Sequence, residues 1–206
     1  MQPRRGVVAP ELAAELPGLS LWWVVVPGGP GPVDEGLQRR LRMLSDRMRG
    51  IDAVALRTRP VVRAYRAFAR QAGLDPDREH VPAEQAALGR LLHGRLSAAD
   101  RIEAACLVAV AETGVGVWAL DGSAVAPSGL ELRLHGRDLV IADAGRVHAP
   151  LLGAPLPGSA PGRGRARSCC SRWASPASRR SICTRRCGRP RTRLPPPALD
   201  TVGTNG

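Results

Sequence analysis

The chain has 206 residues and a formal net charge of +12 at pH 7, but the charge is uneven. Residues 1–158 carry 19 Arg against 17 acids, whereas residues 159–206 carry 11 Arg and one acid, Asp200. No stretch approaches the roughly 18 consecutive apolar residues of a membrane span. The start lacks the apolar core of a signal peptide, because Glu11, Glu15 and Pro17 follow Arg4 and Arg5. No membrane association is expected, and the cytoplasm is the expected compartment.

The near-neutral part is long enough for one domain with a sizeable core. It is rich in Ala, Val and Leu. The whole chain holds one Phe, one Tyr and four Trp, and no Lys. Leu19–Val26 predicts a buried strand, stopped by the Gly/Pro cluster at Gly28–Pro32. That cluster lacks a phosphate-loop pattern, and its prolines remove backbone donors. Asp34 caps a predicted helix in which Leu37, Leu41, Leu44 and Met48 recur at helical spacing, with Gly50 as its stop. Pro60 opens a second helix whose apolar face is Val61, Val62, Tyr65, Phe68 and Ala69, closed by Gly73. Tyr65 and Phe68 fit core packing; stacking on a base or an aromatic ligand is the alternative.

Pro82 opens a third helix running to about His93, with Ala86, Ala87, Leu88, Leu91 and Leu92 as its expected buried face and Gly94 as its stop. Ser97 or Asp100 caps a fourth helix, about Arg101–Glu112, with Ile102, Ala105, Cys106, Val108 and Ala109 inward. Val115–Asp121 reads as a short strand. Leu130–Leu134 and Leu139–Asp143 form a hairpin about a turn at His135–Asp138, and Arg146–His148 extends the sheet. The expected fold is α+β, a two- or three-layer domain with a small, mainly antiparallel sheet packed against helices.

The order of these parts resembles the B3/B4 domain of the bacterial phenylalanine–tRNA ligase β subunit. The matching parts are Arg101–Glu112, Thr113-Gly114-Val115, Trp118-Ala119-Leu120-Asp121, and the strand pair Leu130–Leu134 with Leu139–Asp143. The run from Arg63-Ala64-Tyr65-Arg66-Ala67-Phe68 through Gly73-Leu74-Asp75-Pro76, followed by Pro82-Ala83-Glu84, is similar to the small stand-alone B3/B4 proteins. The resemblance covers about residues 15–152 within a domain of 1–158. It implies a module that binds tRNA or an aminoacyl-like ligand, without aminoacylation activity of its own. An editing-type hydrolase of mischarged tRNA is one alternative. A structural or protein-interaction domain that has lost the pocket is another. Where the family often has a histidine before the aspartate, this chain has Trp118.

Read residue by residue, the chemistry is sparse. His80, His93, His135 and His148 are scattered and read as surface or turn residues, with no metal-ligand pair and no cofactor motif. No nucleophile elbow occurs. A water positioned by a carboxylate is the least demanding hydrolytic route, and Glu112 and Asp121 are the best available polar pair. Both also read as ordinary helix-end and turn residues. Arg63, Arg66 and Arg101 are candidates for a phosphate or carboxylate, with Tyr65 and Trp118 as aromatic partners.

Residues 159–206 are dominated by Arg, Pro, Ala, Gly, Ser and Cys, with Trp173 among them. They read as a disordered arginine-rich arm that would bind RNA phosphates, or as a shifted reading frame of a GC-rich gene. The spacing of Cys169-Cys170, Cys183 and Cys187 matches no zinc knuckle. The changeover at about Gly158 falls where the domain is expected to supply more sheet.

Overall fold

The computed structural model describes residues 2–48, 55–162 and 166–173. The expected stop at Gly50 lies outside the described residues. So do the Arg163–Arg165 run and everything after Trp173, including Cys183, Cys187 and the proline run at 195–197. The fold is α+β, as the sequence predicts. In chain order it comprises β1 Arg4–Arg5, β2 Val7–Val8, α1 Pro10–Glu15, β3 Leu19–Val26, α2 Glu35–Arg47, α3 Pro60–Gln71, α4 Pro82–His93 and α5 Arg101–Thr113. The strands β4 Val117–Asp121, β5 Glu131–His135, β6 Asp138–Ala142, β7 Val147–Pro150 and β8 Ala166–Trp173 follow.

The strands form two four-stranded sheets, ordered β1-β3-β8-β4 and β2-β5-β6-β7. All pairings are antiparallel except β2 with β5. Residues 4–8, which carried no strand signal, stitch the sheets together. Arg4 and Arg5 pair with Trp23 and Trp22 in one sheet; Val7 and Val8 pair with Glu131 and Leu132 in the other. Gly6 makes the crossing possible. Its amide donates to Leu21 O at 2.9 Å, and a Cβ there would lie 2.7 Å from Leu130 O. Only a residue without a side chain allows so close an approach.

Two apolar clusters fill the interior. One is sheet-based, around Leu21, Trp23, Trp118, Leu120, Leu130, Leu132 and Ile141. The other is helical, around Leu41, Leu44, Tyr65, Val81, Ala83, Ala104 and Val108. Helix α3 serves both, giving Phe68 to the first and Val62 and Tyr65 to the second. Helix starts follow the expected chemistry. Asp34 Oδ1 accepts from Leu37 N at 2.9 Å, and Asp100 rather than Ser97 caps α5, accepting from Ile102 N and Glu103 N.

Two helices are rotated from the expected faces. Helix α4 buries Ala83, Glu84, Ala86 and Ala87, while Leu88, Leu91 and Leu92 are exposed, Leu92 by 71%. The cause is Glu84, which is drawn inward by Arg66 on α3: Nη1 donates to Oε1 at 2.9 Å, with both side chains buried. Helix α5 buries Ala104, Val108, Val110 and Ala111; Ala105 is exposed and Cys106 half-buried.

The expected boundary at 158 falls within continuous structure. Ser159 is buried and its carbonyl accepts from Asp121 N at 2.9 Å. Strand β8 pairs with β3 over its full length and with β4 over its first five residues, Ala166 to Cys170, and so lies between them.

Candidate functional site

The residues singled out from the sequence do not form one site. Glu112 lies near the C-terminal end of α5, where its carboxylate receives Arg40 Nε at 2.6 Å and Nη2 at 2.8 Å. Asp121 lies at the far end of β4, so four strand steps, about 13 Å, separate it from Val117 beside the helix end. Its carboxylate accepts from Ser123 Oγ and N at 2.6 and 2.8 Å, and from Gly162 N at 3.3 Å. The Ser123 hydroxyl leads in holding this carboxyl below its ordinary range. Both acids are occupied, and they cannot share one water.

The basic candidates separate in the same way. Arg66 is an internal residue: besides Glu84, it donates to Asp77 Oδ1 at 2.6 Å and Pro76 O at 3.1 Å. Arg101 ties the β3–α2 loop to α5, its Nε donating to Gly29 O at 2.7 Å and its amide to Gly31 O at 2.9 Å. Arg63 is exposed on α3, on the same face as Arg59 and Arg70.

Tyr65 and Trp118 are brought together, through Gly116. Tyr65 Oη accepts from Gly116 N at 3.0 Å. A Cβ on Gly116 would stand 2.5 Å from Trp118 Cη2 and 3.1 Å from Pro82 Cγ. Trp118 is buried and its Nε1 donates to Gly153 O at 2.7 Å. Neither ring presents a face for stacking.

Through Gly153, Trp118 borders a cleft that sequence reasoning missed. The segment from Leu74 to Gln85 faces β6 and the Pro150–Gly153 turn across a cavity of about 310 Å³. Gln85 Nε2 bridges the two walls, donating to His80 O at 2.7 Å and Leu152 O at 2.9 Å. Leu74, Leu139 and Leu151 give the cleft an apolar side, and Arg78, Glu79 and Asp138 stand at its exposed rim. His80 lines it too. Its Nδ1 is buried and, among the described residues, has no hydrogen-bond partner. A buried polar atom left unpaired is unfavourable, and its persistence points to a ligand or water that pairs it. The available signal was His80-Val81-Pro82: a residue before proline is held extended, which fixes the segment across the cleft mouth.

His148 was also misjudged, since it is fully buried rather than a surface residue. Its Nε2 lies 2.8 Å from Asp143 Oδ2 and its Nδ1 3.0 Å from Ser159 Oγ. The Ser–His–Asp order is that of a nucleophilic triad, yet all three residues are buried and no substrate reaches the hydroxyl. Asp143 also accepts from Ala126 N, Gly145 N and Arg146 N. Burial pushes its carboxyl up, but the Ala126 amide, the His148 ring and the other two amides outweigh it, leaving it well below the carboxylate range. The trio is an internal staple joining three loops to β7.

Among the described residues no helix is long and apolar enough to cross a membrane. No protein-family model matches the chain, and neither a curated protein nor a solved structure matches it.

Proposed function

We propose that the folded part is a cytoplasmic binding module of B3/B4 type that takes an aminoacyl-like ligand in the His80 cleft, without aminoacylation activity of its own. The observation that carries this reading is the unpaired Nδ1 of His80 inside a half-apolar cleft. An aminoacyl group suits such a place. Its ammonium can donate to an imidazole nitrogen in the Nε2–H tautomer, with Glu79 and Asp138 at the rim to balance the charge. Its side chain can lie on Leu74, Leu139 and Leu151. The open rim leaves a way out for an attached nucleotide, and Arg63 with Arg59 and Arg70 offers one basic face for a tRNA body. The hydrolase alternative has less support, because Glu112 and Asp121 are apart and engaged.

The test is calorimetric titration of the full chain with 2′(3′)-tyrosyl and phenylalanyl esters of adenosine. These small probes do not engage the arginine-rich tail as a polyanion would. Binding is expected, and His80→Ala is expected to weaken it about tenfold, roughly 1.4 kcal/mol. No heat with the wild-type chain, or equal affinity of His80→Ala, refutes the reading. Release of free tyrosine from the ester, lost in Glu112→Gln or Asp121→Asn, would instead establish the hydrolase.

A further inference from the structure

Strand β8 is the interior strand of its sheet, with β3 on one side and β4 on the other over most of its length. Its neighbours are apolar and largely buried: Leu19, Leu21, Trp23, Trp118, Ala119 and Leu120. The face of such a strand that shares a side with Leu19, Leu21, Trp23, Trp118 and Leu120 is expected to be apolar. The chain instead offers Ala166-Arg167-Ser168-Cys169-Cys170-Ser171-Arg172-Trp173. The register sets Arg167 across from Val25 and from Leu120, which is fully buried. Local sequence and global position conflict here.

The genetic code supplies a reason. Every codon for Ser, Ala, Pro, Gly, Arg, Cys, Trp and Thr has G or C as its second base. Across residues 159–193 only Ile182 lies outside that set. Up to Leu156, the longest such run is Pro27–Pro32, because Leu, Val, Asp, Glu and Gln recur throughout. In a GC-rich gene the base with near-total G or C is the degenerate third base of the coding frame. From about Gly158 that base therefore coincides with the second base of the codons as written. The remaining frame would require G or C as the written first base, which the Ser, Cys, Trp and Thr codons lack.

We infer that the strand inserted between β3 and β4 is encoded in the frame whose codons join the third base of one written codon to the first two bases of the next. The composition alone points to that frame, and the register of β8 says which neighbours its residues would meet. In this frame every Cys or Trp codon becomes a Leu, Val or Met codon. Every Ser codon of the TCN type becomes one for Leu, Val, Ile or Phe. Cys169, Cys170 and Trp173 turn apolar whatever the preceding base, Ser168 and Ser171 turn apolar where they are written TCN, and Arg172, if written CGN, becomes a small residue. That is an apolar run across from Val24, Trp23, Trp22, Leu21 and Leu19, in the register observed. The strand that the slot requires is present in the gene, displaced by one base.

The first test is the coding DNA. We expect no stop codon in this frame across residues 166–187, and the G and C excess to move from the third to the second written base near codon 158. A stop in that stretch, or a third-base excess continuing to the end, overturns the inference. The second test compares the full chain with one carrying Ser168→Val, Cys169→Leu, Cys170→Leu, Ser171→Leu, Arg172→Ala and Trp173→Val. The substituted chain should unfold more cooperatively, with Tm raised by at least about 5 °C. An equal or lower Tm refutes the assignment of this run to the slot. Neither result depends on whether the His80 cleft binds a ligand.

Discussion

Asp143→Asn tests the buried staple most directly. In the wild-type chain one carboxylate accepts four hydrogen bonds, from Ala126 N, Gly145 N, Arg146 N and His148 Nε2, at 2.7 to 3.0 Å. An amide keeps one acceptor oxygen and turns an NH₂ toward donors that the second oxygen had satisfied. Two donors facing Oδ2, or two facing Oδ1, are then left unpaired in a site that is only 3% exposed. Hydrogen bonds to a charged group contribute about 1.5–3 kcal/mol each, and these are not additive, so a loss of about 3–5 kcal/mol follows. Thermal unfolding by circular dichroism at pH 7 should show Tm lowered by roughly 10 °C or more. The pH dependence is more diagnostic. The folded carboxyl lies below its unfolded value of 3.8, so the unfolded state binds more protons in that range and stability falls as pH drops below about 4. Above the unfolded pKa the contribution is fully present. Asp143→Asn should flatten this acid limb. A variant whose Tm matches wild type at pH 7, or whose acid limb runs parallel to it, would refute the staple.

Other outcomes follow from the same geometry. Arg66→Met alone leaves Glu84 buried without its main partner and should destabilise by about 3–5 kcal/mol in urea. Arg66→Met with Glu84→Leu should recover most of that loss, and a strictly additive double variant would contradict the pairing. Gly116→Ala drives a methyl to within 2.5 Å of Trp118, so a loss of roughly 1–3 kcal/mol and a shift in Trp fluorescence are expected. Leu92→Glu, on the exposed face of α4, should change stability by no more than about 0.5 kcal/mol; a loss above 2 kcal/mol would restore the face expected from the helical pattern.

Much of the secondary structure is legible in the sequence because its signals are local. Asp34, Asp100, Pro60, Pro82, Gly94 and Gly114 mark helix ends by backbone chemistry that needs no tertiary partner. The β5–β6 hairpin is legible for the same reason. The N-terminal strands are not, since two-residue pairings at Arg4–Val8 exist only against β3 and β5. Helix faces are partly legible. The pattern places Val62, Tyr65, Phe68 and Ala69 correctly, but it misplaces α4, because apolar periodicity carries no information about a distant arginine that captures Glu84.

The candidate site was the least legible part. Glu112 and Asp121 are near in sequence, but an intervening strand carries them to opposite ends of β4. His80 and Gln85 looked unremarkable until β6 and the Pro150–Gly153 turn closed the cleft around them. His148 could not be recognised as buried without Ser159, which lies beyond the apparent domain edge.

By itself, then, the amino-acid sequence determined the α+β class, the starts of the four longer helices, the hairpin and the abrupt change of composition near Gly158, all of which rest on local steric and compositional rules. Only the tertiary structure decided which face of each helix is buried, which of the polar residues are engaged internally, and that a strand lies between β3 and β4. Those depend on contacts between residues far apart in the chain, where one buried ion pair or one strand pairing outweighs the local pattern.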